Sequence, residues 1–162
     1  MIHLRAAMPG DADAIWTIVE PVIRAGETYA VDQDMTRDAA LAWWLSPAHE
    51  TRVAANDAGQ VLGTYTLREN HAGGGAHVAN CGYMVATGAT GQGIGRIMAE
   101  DSLRLARERG FLAMQYNFVI ASNTGAIALW HSLGFAEIGR QPQAFRHPRL
   151  GFVDALVMQR FL

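Results

Sequence analysis

The sequence holds one cysteine, Cys81, so no disulfide can form within the chain, and a reducing compartment is the fitting environment. Charge is also sparse: 17% of residues carry it, the net charge is -2 and the pI is near 6.3. Nucleic-acid recognition normally shows as a basic face, so no nucleic-acid partner is expected. No run reaches the ~18 apolar residues of a membrane span, and Met1-Ile-His-Leu-Arg5 lacks the basic-then-apolar order of a signal peptide. No membrane partner is expected, and the cytoplasm is the default location. Histidine pairs, CxxC and H-E-x-x-H are missing too; the nearest match, His49-Glu50, lacks its second histidine, so no metal is expected.

What is present suits one domain spanning 1–162, because half of the residues are hydrophobic and nothing resembles a linker. The periodicity predicts a strand at 2–7, a helix with Ile15, Ile18, Val19 and Val22 on one stripe, and a short helix from Thr36 to Ser46-Pro47. Between the helices lies an exposed loop with Tyr29, which either lines a pocket or is an ordinary connection. A hairpin at 51–56 and 60–69 turns at Asn56-Asp-Ala-Gly59. Strands follow at 77–86 and 112–120, joined through a helix at 94–109, which implies a right-handed parallel crossover. A helix capped by Ser122-Asn123 ends at Gly134, and strands near 135–140 and 152–160 flank an irregular stretch, 141–151. The expected fold class is α/β, with a mixed sheet flanked by helices. Asp101 falls within the apolar stripe of its helix; it sits either at a solvent gap or against an arginine from another element.

The chain is organised around 77–96, which reads as strand, glycine-spaced turn and helix start. Gly91, Gly93 and Gly95 permit positive φ and close approach of a ligand to the backbone. The helix's first amides have no intrahelical partner and sit at the positive end of its dipole, so a pyrophosphate can rest there. A tight loop without a ligand fits the same spacing. A P-loop is excluded because Arg96-Ile97, and not Lys-Ser/Thr, follows Gly95; G-x-G-x-x-G fails because neither 96 nor 98 is glycine.

These residues resemble the Gcn5-related N-acetyltransferases. The acetyl-CoA signature R/Q-x-x-G-x-G/A appears as Thr90-Gly-Gln-Gly93-Ile-Gly95, with threonine in place of Arg or Gln. Asn123-Thr-Gly-Ala126-Ile-Ala-Leu129-Trp-His-Ser-Leu-Gly134-Phe135 is similar to N-x-x-A-x-x-L-Y-x-x-x-G-F, with Trp130 in place of tyrosine. The resemblance implies acetyl-CoA as co-substrate, lying where the strands at 77–86 and 112–120 splay apart. Tyr83, Met84 and Val85 would lend backbone groups to pantetheine, and the amides of Gly91, Gln92, Gly93, Ile94, Gly95 and Arg96 would hold the pyrophosphate. A narrower likeness, at 114–123 and 144–154, is to the fungal acetyltransferases that detoxify azetidine-2-carboxylate and related proline analogues. It implies that Asn80 binds an imino acid, that amides beside Asn117 and Phe118 hold its carboxylate, and that Asn123 reaches the thioester sulfur.

The implied reaction is direct attack by a small-molecule amine, with strand amides near Tyr83 and Met84 as oxyanion donors. Trp130 has an indole N–H but no usable acid, so Asn123 is the candidate catalytic residue at the leaving sulfur. The same asparagine also suits a helix N-cap. His77, His131 and His147 are the candidates for a general base. Arg146 and Arg149 are candidates for a substrate carboxylate or for a second subunit in a homodimer. A catalytically weak acyl-CoA-binding or regulatory module is the alternative, suggested by Thr90 and Trp130.

Overall fold

The computed structural model describes all 162 residues. Seven strands form one sheet in the order β1-β2-β3-β4-β5-β7-β6, from β1 (Ile2–Ala6), β2 (Glu50–Asn56), β3 (Val61–Glu69), β4 (Val78–Val85), β5 (Ala113–Ile120), β6 (Ala136–His147) and β7 (Gly151–Phe161). Helices α1 (Ala12–Ala25) and α2 (Arg37–Trp44) cover one face; α3 (Ile94–Glu108) and α4 (Thr124–Ser132) cover the other. The mixed α/β fold expected from the sequence is present, with β4 and β5 as its parallel pair.

The helices form where apolar spacing and caps coincide. On α1, Ile15, Ile18, Val19 and Ile23 are buried, and Gly26 closes the helix at φ 62°. Thr36 caps α2 by accepting from the Ala39 amide. Burying each such aliphatic side chain contributes roughly 1.5–3 kcal/mol, which is why the amphipathic stripe decides the packing. Asp101 on α3 meets an arginine from another element: Arg52 of β2 lies 3.2 Å away, the Tyr65 hydroxyl donates at 2.6 Å, and Arg104 donates at 2.5 Å. A carboxylate in the apolar stripe is thereby held by two cations and a phenol.

One expectation fails at the C-terminal hairpin. The stretch 141–147, read as irregular, belongs to β6, and the turn before Gly151 is the part that lies outside both strands. Register shifts between Glu137 and Gly139 and between Gln141 and Phe145 break the two-residue alternation that would mark a strand. Pro142 and Gln143, the latter at φ 49°, occupy the second bulge, where a missing amide and a left-handed residue are tolerated.

Candidate functional site

The parallel pairing of β4 with β5 stops almost where it starts, with only Val78↔Ala113 and Ala79↔Met114 in register. Beyond that point the strands part. Asn80 bridges the first step of the gap, its Nδ2 donating to the Gln115 carbonyl at 2.9 Å. Further along, the Tyr83 peptide has no strand partner on this side and binds the Tyr29 phenol instead. Tyr83 N–H donates to the hydroxyl at 2.9 Å, and the hydroxyl donates to the Tyr83 carbonyl at 3.0 Å. Gly82 makes this approach possible, because a Cβ there would stand 3.1 Å from the phenol oxygen. Burial pushes the Tyr29 phenol well above its ordinary value, so it is a neutral hydroxyl and no base. The α1–α2 loop is therefore no ordinary connection: it delivers a side chain into the gap.

β5 contributes a second irregularity. Its pairing with β7 is in register through Tyr116↔Met158 and resumes at Val119↔Leu156, leaving Asn117 and Phe118 without register partners. Around Asn117 the side-chain amides interlock: Asn117 Nδ2 donates to Asn70 Oδ1 at 2.6 Å, and Gln115 Nε2 donates to Asn117 Oδ1 at 3.0 Å. Gln141 Nε2 donates to the Asn117 carbonyl at 3.0 Å. Phe118 meets Phe145 edge to face at 6.3 Å. Asn80, Asn117 and Phe118 thus stand on the two strands that flank the gap, and Asn70, Gln115 and Gln141, to which the sequence had assigned no role, join them through hydrogen bonds.

The glycine turn stands beyond the end of β4. Gly91 and Gly93 adopt φ 80° and 78°, and Gly93 is the N-cap of α3 with no side-chain cap. The first helical bond runs from Ile97 N–H to the Gly93 carbonyl, so the Ile94, Gly95 and Arg96 amides are left to a ligand. No acidic residue lies in the first turn of α3, and a Cβ built on Gly91 or Gly93 would meet nothing within 4 Å. An anionic phosphate fits that open, electropositive cradle. Side chains add little there. Thr90 turns back to the Thr87 carbonyl at 3.1 Å, Gln92 to the Gly88 carbonyl at 3.3 Å, and Arg96 reaches away to Ser132 at 2.7 Å.

Asn123 lies at the N-cap of α4 and accepts from the Ala126 amide at 3.3 Å through Oδ1, leaving its N–H2 free of this cap. Trp130 packs among Tyr83, Tyr116 and Phe135, with ring centroids 5.1, 4.7 and 6.0 Å away. The Tyr83 hydroxyl shares hydrogen bonds with Ser102 at 2.7 Å and Tyr116 at 2.8 Å. Of the candidate bases, His147 accepts the Arg149 and Leu150 amides at Nδ1 and fastens a turn, and His131 faces the Phe135 carbonyl at 3.2 Å. His77 is exposed. Arg149 pairs with Glu27 and ties the β6–β7 hairpin to the α1–α2 loop. Arg146 lines a cavity of about 440 Å³ with Tyr29, Asp32 and Phe145. No helix is long and apolar enough to cross a membrane, and no cluster of three or more His, Cys, Asp or Glu gathers to hold a metal.

Comparison with known proteins gives a consistent result. The family model "Acetyltransferase (GNAT) family" matches residues 16–135. The N-acetyltransferase aca1 of Schizosaccharomyces pombe is 31% identical over 153 residues, covering 85% of this chain and 73% of its own. A GCN5-related N-acetyltransferase structure from Kribbella flavida superposes with a TM-score of 0.96 at 41% identity, covering 99% of this chain and 98% of the other. The yncA structure from Salmonella typhimurium, solved with its cofactor acetyl-CoA, gives a TM-score of 0.86 at 24% identity over 100% of this chain and 94% of its own.

Proposed function

Because the chain belongs to the GNAT acetyltransferase family and is an acetyl-CoA-dependent N-acetyltransferase, we propose that its acceptor is the amine of a small molecule, an amino or imino acid such as a proline analogue. Residues 1–162 act in this reading as one N-acetyltransferase domain. The observation that carries it is the meeting, at one gap in the sheet, of an unpaired strand peptide at Tyr83 with the amide side chains of Asn80 and Asn117.

Acetyl-CoA supplies an acetyl group activated as a thioester. The amides from Gly91 to Arg96 hold its pyrophosphate, as the turn's positive φ and the dipole of α3 favour. Tyr83 and Val85 offer backbone groups along the parted edge of β4, whereas Met84, which the sequence had put beside them, turns its N–H and C=O to Thr64 in the β3–β4 ladder. The Tyr83 N–H serves the acetyl oxygen, displacing the Tyr29 phenol from that amide. Asn123 keeps its cap through Oδ1 and turns its N–H2 to the sulfur, the task that Trp130 cannot perform as an acid.

On the acceptor side, Asn80 spends one N–H on Gln115 and keeps Oδ1 to accept from the attacking amine, which fixes the direction of the nitrogen lone pair. The amides at Asn117 and Phe118, released from the β7 ladder, suit the acceptor carboxylate.

The test is thiol release from acetyl-CoA with a panel of amino acids, proline, azetidine-2-carboxylate, simple amines and peptides with free N-termini. Release driven by the small amines is the expected result. Release with peptides alone overturns the small-acceptor reading, and binding of acetyl-CoA with no release by any amine returns the chain to an acyl-CoA-binding role.

A further inference from the structure

Most arginines of this chain hold a carboxylate within 4.0 Å, among them Arg5, Arg52, Arg104, Arg109, Arg140 and Arg149. Arg68 holds none. Its Nη1 donates to His49 Nε2 at 3.1 Å, and His49 Nδ1 in turn faces the Trp44 carbonyl at 3.3 Å. A guanidinium has no acceptor, so His49 must present a bare Nε2 and keep its proton on Nδ1. Burial holds the His49 pKa down, with the Arg68 charge acting in the same direction, so the imidazole stays neutral and does not repel its neighbour. Arg68 is thereby oriented by a neutral partner, with its full charge and most of its fork of N–H donors unspent.

Its place in the sheet gives that charge a purpose. Arg68 stands directly across the β3–β4 ladder from Asn80, and side-chain alternation puts both on the same face. Asn70, two residues further on the same face, accepts from Asn117 at 2.6 Å and links Arg68's strand to the β5 bulge. His49, Arg68 and Asn70 line one groove of about 660 Å³. Of the carboxylates lining it, Glu50 is taken by Arg109, and Glu69 alternates to the opposite face of β3. Arg146 is also without an ion pair, but no neighbouring side chain orients its guanidinium, and it shares its cavity with the unpaired carboxylate of Asp32.

We propose that Arg68, oriented by His49, binds the carboxylate of the acceptor and makes amines that carry a free carboxylate the preferred substrates. A planar fork of donors suits a carboxylate better than a point charge does. The assignment rests on the small-amine acceptor reading and adds to it the residue that selects the acceptor.

Matched acceptors test it: L-proline against pyrrolidine, and L-azetidine-2-carboxylate against azetidine, in steady-state thiol release. Arg68→Gln should raise KM for the two carboxylate-bearing acceptors by about tenfold to a hundredfold, the range for losing a charge-assisted hydrogen bond. It should leave kcat/KM for pyrrolidine and azetidine, and the acetyl-CoA Kd, unchanged. Arg68→Lys should recover part of the loss. Equal effects on both members of a pair, or no effect on the carboxylate members, would overturn the assignment. Equal turnover of both members by the unaltered enzyme overturns it while leaving the small-acceptor reading standing; no turnover of any of the four, with acetyl-CoA bound, sinks both.

Discussion

The two sides of the gap between β4 and β5 are built from different materials. On the cofactor side the cradle is backbone: two glycines at positive φ and the first amides of α3, while Thr90, Gln92 and Arg96 direct their side chains elsewhere. On the proposed acceptor side most groups are side chains, drawn from the α1–α2 loop, from β3 and the residue after it, and from β4, β5 and β6: Tyr29, Arg68, Asn70, Asn80, Gln115, Asn117 and Gln141, joined by the backbone amides of Asn117 and Phe118. A backbone cradle tolerates sequence change as long as φ is kept, whereas a side-chain site changes its ligand with each substitution. Such a division lets one fold keep its co-substrate and alter its acceptor.

The two sides meet at Asn123, where the largest effect is expected. Asn123→Asp keeps an oxygen for the Ala126 amide but loses the N–H2, so kcat should fall about 10² to 10³-fold with little change in KM and no loss of thermal stability. Asn123→Ala should show the same kcat loss together with about 1 kcal/mol of destabilisation from the lost cap. Full activity in the aspartate variant would leave the residue a cap alone.

Gly93→Ala probes the backbone side. A side chain at φ 78° costs roughly 1–2 kcal/mol, and relief of that strain turns the amides away, so acetyl-CoA should bind about tenfold more weakly while acceptor KM holds. A change confined to acceptor KM would blur the division. Smaller again is Tyr29→Phe, which keeps the edge contacts with Trp43 and Trp44 but strips the Tyr83 peptide of its partner. The cofactor-free protein should lose about 1–3 kcal/mol of stability, read as a fall of several degrees in Tm, and saturating acetyl-CoA should narrow the difference. An equal deficit with and without acetyl-CoA would mean that the phenol does not vacate the peptide.

The same division explains what the sequence disclosed. Gly91, Gly93 and Gly95 are neighbours in the chain and their conformational demand is written in their identity, so the turn and helix start were readable. Asn80, Asn117 and Phe118 were found through a likeness, and the structure brings them to one gap without testing the roles proposed for them. Arg68 and Asn70 carried no motif; only the β3–β4 register puts Arg68 opposite Asn80, and the hairpin read from the sequence paired β3 with β2, not with β4. Arg52 and Tyr65, which meet Asp101, and Glu27, which meets Arg149, are far off in sequence, so periodicity flagged Asp101 as anomalous and left Arg149 open. The second half of β6, 141–147, was missed because its bulges scramble the alternation by which a strand is recognised.

The division is tested most directly on Asn80→Ala, by measuring the acetyl-CoA Kd and the acceptor KM on the same enzyme. The expected result is a KM raised about tenfold or more, for one lost hydrogen bond to the amine, with the Kd within twofold of the unaltered protein. A Kd that moves as far as the KM, or a KM that does not move, would contradict the separation of the two sides.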